Sequence, residues 1–284
     1  MTTRAASPAA STARRIARAG WVTAAVGVAV SAAIIATRPS WAGLAPATCL
    51  PDGCFCEAVR LDGLAQPVNS ITSLAYVALG FWALLGGPAF RSAPPPIRTL
   101  VRAAGGVLVL LGLGSFVYHG TLTLIGQVLD VQGMYLLGML ILLAALVRRG
   151  TLTSRAAPWI YVAACTALAV TQVAVPESRR VLFALVLLPG IVLEALPSTT
   201  GVALRSPQAV PYRTGVLLLV VAYGVWLLDN AGIACSPTSV VQGHGLWHVL
   251  TAVAAVLVVS HYLRTPGAHD LGRPGAGPGA GRRA

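Results

Sequence analysis

A chain of 284 residues with 56% hydrophobic and only 10% charged residues is not an ordinary soluble domain, because such a domain needs about a quarter of its residues charged. The net charge is +12, but the basic residues, all arginine, lie between apolar runs and in the tails. They form no single patch, which argues against nucleic acid as a partner. Lipid is therefore the expected solvent, and an all-α, polytopic membrane helical bundle is the expected fold.

Eight apolar runs have roughly the length of ~20 residues that a helix needs to cross a bilayer. Pro, Gly and Arg bound them, as is typical of helix ends. In chain order the runs are Gly20–Ala36, Val68–Leu85, Leu100–Tyr118, Gln127–Val147, Pro158–Val175, Val181–Leu196, Tyr212–Leu228 and His244–Leu263. The last seven predict a seven-helix core, to which the first adds an N-terminal hydrophobic helix or signal segment.

The chain divides into five predicted segments. A basic tail covers residues 1–18, and residues 19–42 form the transmembrane helix or signal segment. A cysteine-containing loop at 43–67 precedes the seven-helix domain at 68–264, and a Gly/Pro/Arg-rich tail covers 265–284. The residues up to about Ala13 and the C-terminal tail are predicted to be disordered, because their composition cannot build a core.

The first apolar run has two interpretations. Arginines followed by an apolar stretch and the small-residue segment Ser40-Trp41-Ala42 are typical of a cleaved signal peptide. The run is equally suited to be an eighth helix, and we favour a retained helix. The rest of the topology is the same in both cases.

The arginines also predict the orientation of the helices. The connections at 119–126 and 231–243 carry no charge, whereas the alternate connections each carry several arginines. Because basic residues accumulate in cytoplasmic loops, both termini are predicted to be cytoplasmic if the first helix is retained. The pair Arg179–Arg180 is the one exception. The absence of lysine is typical of a GC-rich genome, so we expect a bacterial plasma membrane.

The cysteines provide a second indication of topology. Cys49, Cys54, Cys56 and Cys235 fall in connections that the arginines place outside, and Cys165 alone lies inside an apolar run. Disulfides persist in an oxidising exterior compartment, so we expect Cys235 to tie the first outer loop to the last. Four free thiols are the alternative, and spacing alone does not give the connectivity.

Three histidines have a pattern that suits a metal ion. His244 and His248 are four residues apart and share one helix face, while His119 ends another apolar run. Ser115 lies one turn before His119, and Asp130 opens the next run. The predicted topology brings all five residues to the same depth near the exterior face. Three neutral histidines are typical ligands of catalytic zinc, with a fourth position for water.

This set of residues predicts hydrolysis of an amide or ester carbonyl. Zinc lowers the pKa of its water to ~7, Asp130 is the candidate general base and acid, and Ser115 is the candidate donor to the oxyanion. The alternatives are structural. The histidines can hydrogen-bond between helices, Asp130 can cap a helix N-terminus, and Ser115 can be a small packing residue. His261 and His269 are interpreted as satisfied polar residues.

Several motifs resemble those of alkaline ceramidases. The segment G-S-F-V-Y-H at 114–119 with Q-V-L-D at 127–130 resembles their second motif, and G-H-G-L-W-H at 243–248 resembles their terminal motif. Cys56-Glu57 with the segment 66–73, and Asp229-Asn230 with Cys235, resemble two further motifs. The resemblance runs from about Cys56 to Tyr262 and covers most of the chain.

The resemblance implies a seven-helix hydrolase core that cleaves the amide of ceramide-like membrane lipids into a long-chain base and a fatty acid. It implies zinc on His119, His244 and His248, with Ser115 and Asp130 as catalytic residues. It also implies a Cys56–Cys235 disulfide, which leaves Cys49 and Cys54 to pair with each other. The superfamily includes adiponectin-receptor-like proteins, so a lipid ester hydrolase or a non-catalytic, metal-stabilised lipid receptor is the alternative.

The family's first loop also implies a calcium site, from which this sequence departs. Cys54 and Phe55 replace an Asp-Trp pair, Arg60 lies where an uncharged ligand is expected, and Gln66 replaces a glutamate. Glu57 is the acidic residue that remains. These changes argue against calcium binding.

Overall fold

The eight apolar runs are eight long helices in the computed structural model, which describes residues 8–50, 53–196 and 204–264. The helices are α1 (Pro8–Ala36), α2 (Arg38–Trp41), α3 (Pro67–Leu84), α4 (Pro88–Ser92), α5 (Pro95–Thr121), α6 (Leu124–Arg148), α7 (Ala157–Ala174), α8 (Arg179–Ala195), α9 (Val210–Asn230) and α10 (Gly243–His261). Within these ranges the only β-type pairing is an isolated bridge between Pro46 and Thr123. The predicted all-α fold is confirmed.

Seven of the described helices are long and apolar enough to cross a bilayer: α1, α3, α5, α6, α7, α9 and α10. Helix α8 has 17 residues, at the short end of the range for spanning helices, and it packs against α6. The chain is therefore a polytopic integral membrane protein, as its composition predicts.

Helix α1 begins earlier than predicted. It starts at Pro8 and so includes residues that were expected to be disordered up to Ala13. Proline is well suited to the first turn of a helix, and the alanines that follow have the highest helix propensity. The apolar run therefore marks only the part of the helix that lipid can surround. Residues 1–7 and 265–284, including His269, lie outside the described residues, and their predicted disorder stays a prediction.

Helix α1 packs against α3 through small residues. Ala19, Thr23 and Gly27 recur every four residues on its buried face, and a Cβ on Gly27 would lie 2.7 Å from Leu74 of α3. Small residues at this spacing allow membrane helices to approach closely. Beyond the helix, Arg38 donates hydrogen bonds to the carbonyl oxygens of Gly63 and Arg60. These contacts attach the segment to the rest of the bundle, and its retention stays a prediction.

Glycines bring α5 into backbone contact with both of its neighbours. A Cβ on Gly112 would lie 2.9 Å from the carbonyl oxygen of Ser73 in α3. On the other side, a Cβ on Gly114 would lie 2.8 Å from the carbonyl oxygen of Leu129 in α6. The close approach at Gly114 places Ser115 beside Asp130. The small residues therefore allow close helix packing, as expected, and this packing also brings the polar side chains of Ser115 and Asp130 together.

A buried charge network lies at the end of the bundle where α6, α8 and α10 have their C-terminal turns. The Arg148 guanidinium forms a salt bridge with the Glu194 carboxylate. His261 Nε2 lies 3.1 Å from Glu194 Oε1, and the Tyr262 hydroxyl donates to Glu194 Oε2 at 3.2 Å. All four residues are buried. In the sequence, Arg148 is one of the arginines in the charged connections that predict topology, whereas in the structure its charge is buried and paired.

Replacing Glu194 by alanine should lower the free energy of unfolding by about 3–5 kcal/mol, because a buried guanidinium then loses its carboxylate. Thermal unfolding of the purified protein in detergent measures the effect. The matched control is Glu177→Ala, which removes an exposed glutamate from the turn before α8 and should leave the Tm unchanged. Equal Tm values for Glu194→Ala and the wild type would contradict the prediction.

Candidate metal centre

Three imidazole rings converge at the opposite end of the bundle. His119 lies in the last turn of α5, and His244 and His248 lie in the first turns of α10. One nitrogen of each ring lies within 4.8 Å of the other two, and the Nε2 atoms of His119 and His244 are 3.1 Å apart. The three residues are only 0%, 4% and 2% exposed. The structure thus brings together the histidines that the sequence singles out.

Asp229, at the end of α9, fixes the start of α10. Its Oδ1 accepts the backbone N–H of His244 at 3.1 Å, and its Oδ2 accepts that of Cys56 at 3.2 Å. This contact requires glycine at position 243, because a Cβ there would lie 2.9 Å from Asp229 Oδ1. One buried carboxylate therefore places the first histidine of α10 and the cysteine loop relative to each other.

Gln66 determines the tautomer of His119. Its amide NH2 donates to the carbonyl oxygens of Cys54 and Glu57, so its Oε1 must be the atom that meets His119 Nδ1 at 3.0 Å. An amide oxygen only accepts, which places the proton of His119 on Nδ1. Its Nε2 therefore keeps a free lone pair directed at the centre of the cluster.

Thr72 determines the tautomer of His248 in the same way. Its hydroxyl donates to the carbonyl oxygen of Val68 at 2.8 Å and lies 3.1 Å from His248 Nδ1. Because the hydroxyl proton is already engaged, Thr72 accepts the Nδ1 proton of His248. His248 Nε2 is left as an acceptor. Sequence reasoning did not identify Gln66 and Thr72 as histidine partners, although both lie in the 66–73 segment that resembles a family motif.

The residues present fit a zinc ion. The Nε2 atoms of His119 and His244 are 3.1 Å apart, so either a proton or a cation must lie between them. Three histidine nitrogens, two of them oriented by hydrogen bonds at the far side of the ring, form the usual ligand set of an open zinc site. The cluster is therefore suited to hold a metal ion.

Ser115 and Asp130 lie beside the histidines. The Ser115 hydroxyl is fully buried and lies 3.3 Å from His248 Nε2. Its side chain also interacts with the carboxylate of Asp130, which the contact of Gly114 with Leu129 and Asp130 brings close. Asp130 belongs to the second turn of α6 and does not cap its N-terminus, where Thr123 accepts the N–H of Gly126. All five residues proposed from the sequence are thus neighbours.

A family model described as Ceramidase matches residues 54–269. The chain belongs to the ceramidase family. The match covers most of the chain and confirms the resemblance seen in the motifs. A comparison with curated proteins finds no significant match.

Two disulfides hold the cysteine-containing loop of this ceramidase-family member beside the histidines. Cys56 is bonded to Cys235, and Cys49 is bonded to Cys54. Cys165 is a buried free thiol. The first bond joins segments that are 179 residues apart in sequence. The loop before α3 is thereby fixed to the loop before α10.

The loop that would carry calcium has a different hydrogen-bonding pattern here. Burial raises the pKa of Glu57 above its ordinary value, and its two carboxylate oxygens accept the N–H groups of Val68 and Asn69 at 2.7 and 2.8 Å. Glu57 thus caps the N-terminus of α3. The carbonyl oxygens of Cys54 and Glu57 accept the amide hydrogens of Gln66. The expectation that calcium is not bound stays a prediction.

We therefore expect the Tm of the purified protein to be the same in EGTA and in added calcium. The Tm of the variant Gln66→Glu should depend on calcium. Its carboxylate replaces the amide that donates to the carbonyl oxygens of Cys54 and Glu57, so three oxygens then face one another with no proton between them. Its Tm should fall in EGTA and recover in part when calcium is added. A wild-type Tm that falls in EGTA would contradict the prediction.

An apolar cavity begins one turn below the histidines. Its accessible volume is about 50 Å³, and Tyr76, Trp247 and Thr251 lie in its wall. Tyr76 and Thr251 are hydrogen-bonded to each other, so their hydroxyl groups do not offer free polar sites. Leucines, Met134 and Phe183 are among the other lining residues, which α5, α6, α8, α9 and α10 contribute. The cavity is therefore lined mainly by apolar groups.

Proposed function

We propose that this member of the ceramidase family is a zinc-dependent amidase that hydrolyses ceramide-like lipids to a long-chain base and a fatty acid. The observation that carries the proposal is the convergence of three buried histidines, with ligand atoms within 4.8 Å of one another, beside the interacting side chains of Ser115 and Asp130. An apolar cavity directly below them gives a lipid chain a place beside the reacting carbonyl. The family match supports an amide as the bond that is cleaved.

His119, His244 and His248 would hold the metal. Zinc supplies Lewis-acid chemistry that makes water nucleophilic near neutral pH. Asp130 accepts the proton of the attacking water and returns it to the leaving amine, which is the role of a general base and acid. Ser115 donates a hydrogen bond to the carbonyl oxygen as negative charge develops there.

We further propose that the metal centre lies near the exterior face, that the first helix is retained, and that both termini are therefore cytoplasmic. The alternate distribution of arginines supports this orientation. The two disulfides beside the centre also suit an oxidising exterior compartment. In this orientation the Arg148–Glu194 network lies near the cytoplasmic face.

Side-by-side assays of the purified protein on a ceramide and on a phospholipid test the proposed reaction. We expect release of fatty acid from the ceramide, loss of that activity on removal of zinc, and its return when zinc is added. Cleavage of the phospholipid alone would assign an ester hydrolase. Binding of both lipids without turnover at full zinc occupancy would assign a receptor.

A further inference from the structure

The three histidines differ in what holds their rings. His119 and His248 each direct Nδ1 at a hydrogen-bond partner, Gln66 and Thr72. His244 Nδ1 is buried and has no hydrogen-bond partner among the described residues. Metal-bound histidines usually have their second nitrogen fixed by such a partner. Some other contact must therefore orient the His244 ring.

Phe55 makes that contact. Its ring stacks on the His244 imidazole with centroids 3.7 Å apart and planes inclined by 24°. The His119 ring is farther away, with centroids 5.3 Å apart and planes inclined by 52°. A parallel stack restricts rotation of the imidazole about its last side-chain bond. Among the aromatic contacts of the three histidines, this one is the closest.

The backbone of Phe55 is held in an unfavourable conformation to make this stack. Its φ is +64°, in the left-handed region that a bulky residue rarely occupies. Strain of this kind persists only where the surrounding structure imposes it, and it recurs at functional sites. Here the neighbours on both sides, Cys54 and Cys56, belong to different disulfides. Cys56 N–H is also fixed by Asp229.

We propose that Phe55 is a positioning residue that orients His244 for metal binding, and that the two disulfides hold it in place. The inference rests on the proposed function, because it assumes that His244 is a metal ligand. Phe55 also packs near Tyr118, with ring centroids 6.3 Å apart. Packing alone would accept any apolar side chain of similar size at this position. Stacking against the face of the His244 imidazole requires a flat ring.

Three substitutions separate these two roles. Phe55→Trp keeps a flat ring, Phe55→Leu keeps apolar volume without one, and Phe55→Gly removes the side chain while relieving the positive φ. Zinc affinity is measured by competition with a chelator, together with the Tm of each metal-free variant. The visible spectrum of the cobalt-loaded protein reports the geometry of the ligands independently of turnover.

Zinc affinity should fall by about 10- to 100-fold in Phe55→Leu and Phe55→Gly, which is the usual effect of losing a group that orients a ligand. The cobalt spectrum of both should change, and Phe55→Trp should keep the wild-type affinity and spectrum. Relief of the positive φ should keep the metal-free Tm of Phe55→Gly at or above that of Phe55→Leu, so that unfolding does not explain its weaker binding.

Wild-type zinc affinity in Phe55→Leu or Phe55→Gly would overturn the positioning role and leave the proposed function standing. A wild-type protein that binds no zinc and cleaves no ceramide would overturn both. Loss of affinity in Phe55→Trp equal to that in Phe55→Gly would also overturn the role of the flat ring.

Discussion

His248→Ala should abolish zinc binding and ceramide hydrolysis together. His248 is buried, its Nδ1 is held by Thr72, and its Nε2 faces the centre of the cluster beside Ser115. Removing a ligand should weaken zinc binding by more than the roughly 10- to 100-fold that loss of an outer partner costs. Zinc content of the purified variant and release of fatty acid from ceramide measure the two effects.

The matched control is His261→Ala. His261 lies in the same helix and is as buried as His248, at 2% exposed in both cases, but it belongs to the Glu194 network at the other end of the bundle. This variant should keep one equivalent of zinc even if its Tm falls. Full zinc content in His248→Ala, or equal zinc loss in both variants, would contradict a metal centre at the three histidines.

Asp130→Asn should keep zinc and lose hydrolysis. The amide has almost the shape of the carboxylate and can still accept a hydrogen bond from Ser115, but it cannot take up the proton of the attacking water. General acid–base catalysis contributes about 10²- to 10⁴-fold, so kcat should fall within that range. Rates of ceramide cleavage at saturating substrate, measured at matched zinc occupancy, test this expectation.

The result also distinguishes the alternatives. Loss of zinc from the Asp130→Asn variant would show that Asp130 is needed for the structure of the metal centre. An unchanged kcat would show that another group transfers the proton. In a lipid receptor there would be no hydrolysis to lose. The same preparation tested for phospholipid cleavage shows whether amide and ester hydrolysis depend on Asp130 equally.

The sequence predicts the helices well because the thickness of a bilayer sets their length. Each run of ~20 apolar residues therefore indicates one helix. The histidine cluster was predictable for a related reason. The spacing of His244 and His248 places them on one helix face, and the alternation of charged connections brings His119 to the same end.

The partners of the histidines were not predictable in this way. Gln66 meets His119 across 53 residues of sequence, and Thr72 meets His248 across 176. Neither contact has a periodic signal, because it depends on how α3, α5 and α10 pack. The Arg148–Glu194 pair was missed for the same reason, since an arginine after an apolar run is usually solvated at the interface. The stack of Phe55 on His244 depends on a backbone angle that composition does not encode.

The distance along the chain between the groups of the centre has a consequence for biosynthesis. Two of the three histidines lie in α10, the last described helix, and Cys235 lies just before it. A nascent chain that ends before Gly243 has one ligand in place and cannot hold the metal with three. In the proposed enzyme, zinc loading therefore follows insertion of α10, and closure of the Cys56–Cys235 bond waits until Cys235 has been synthesised.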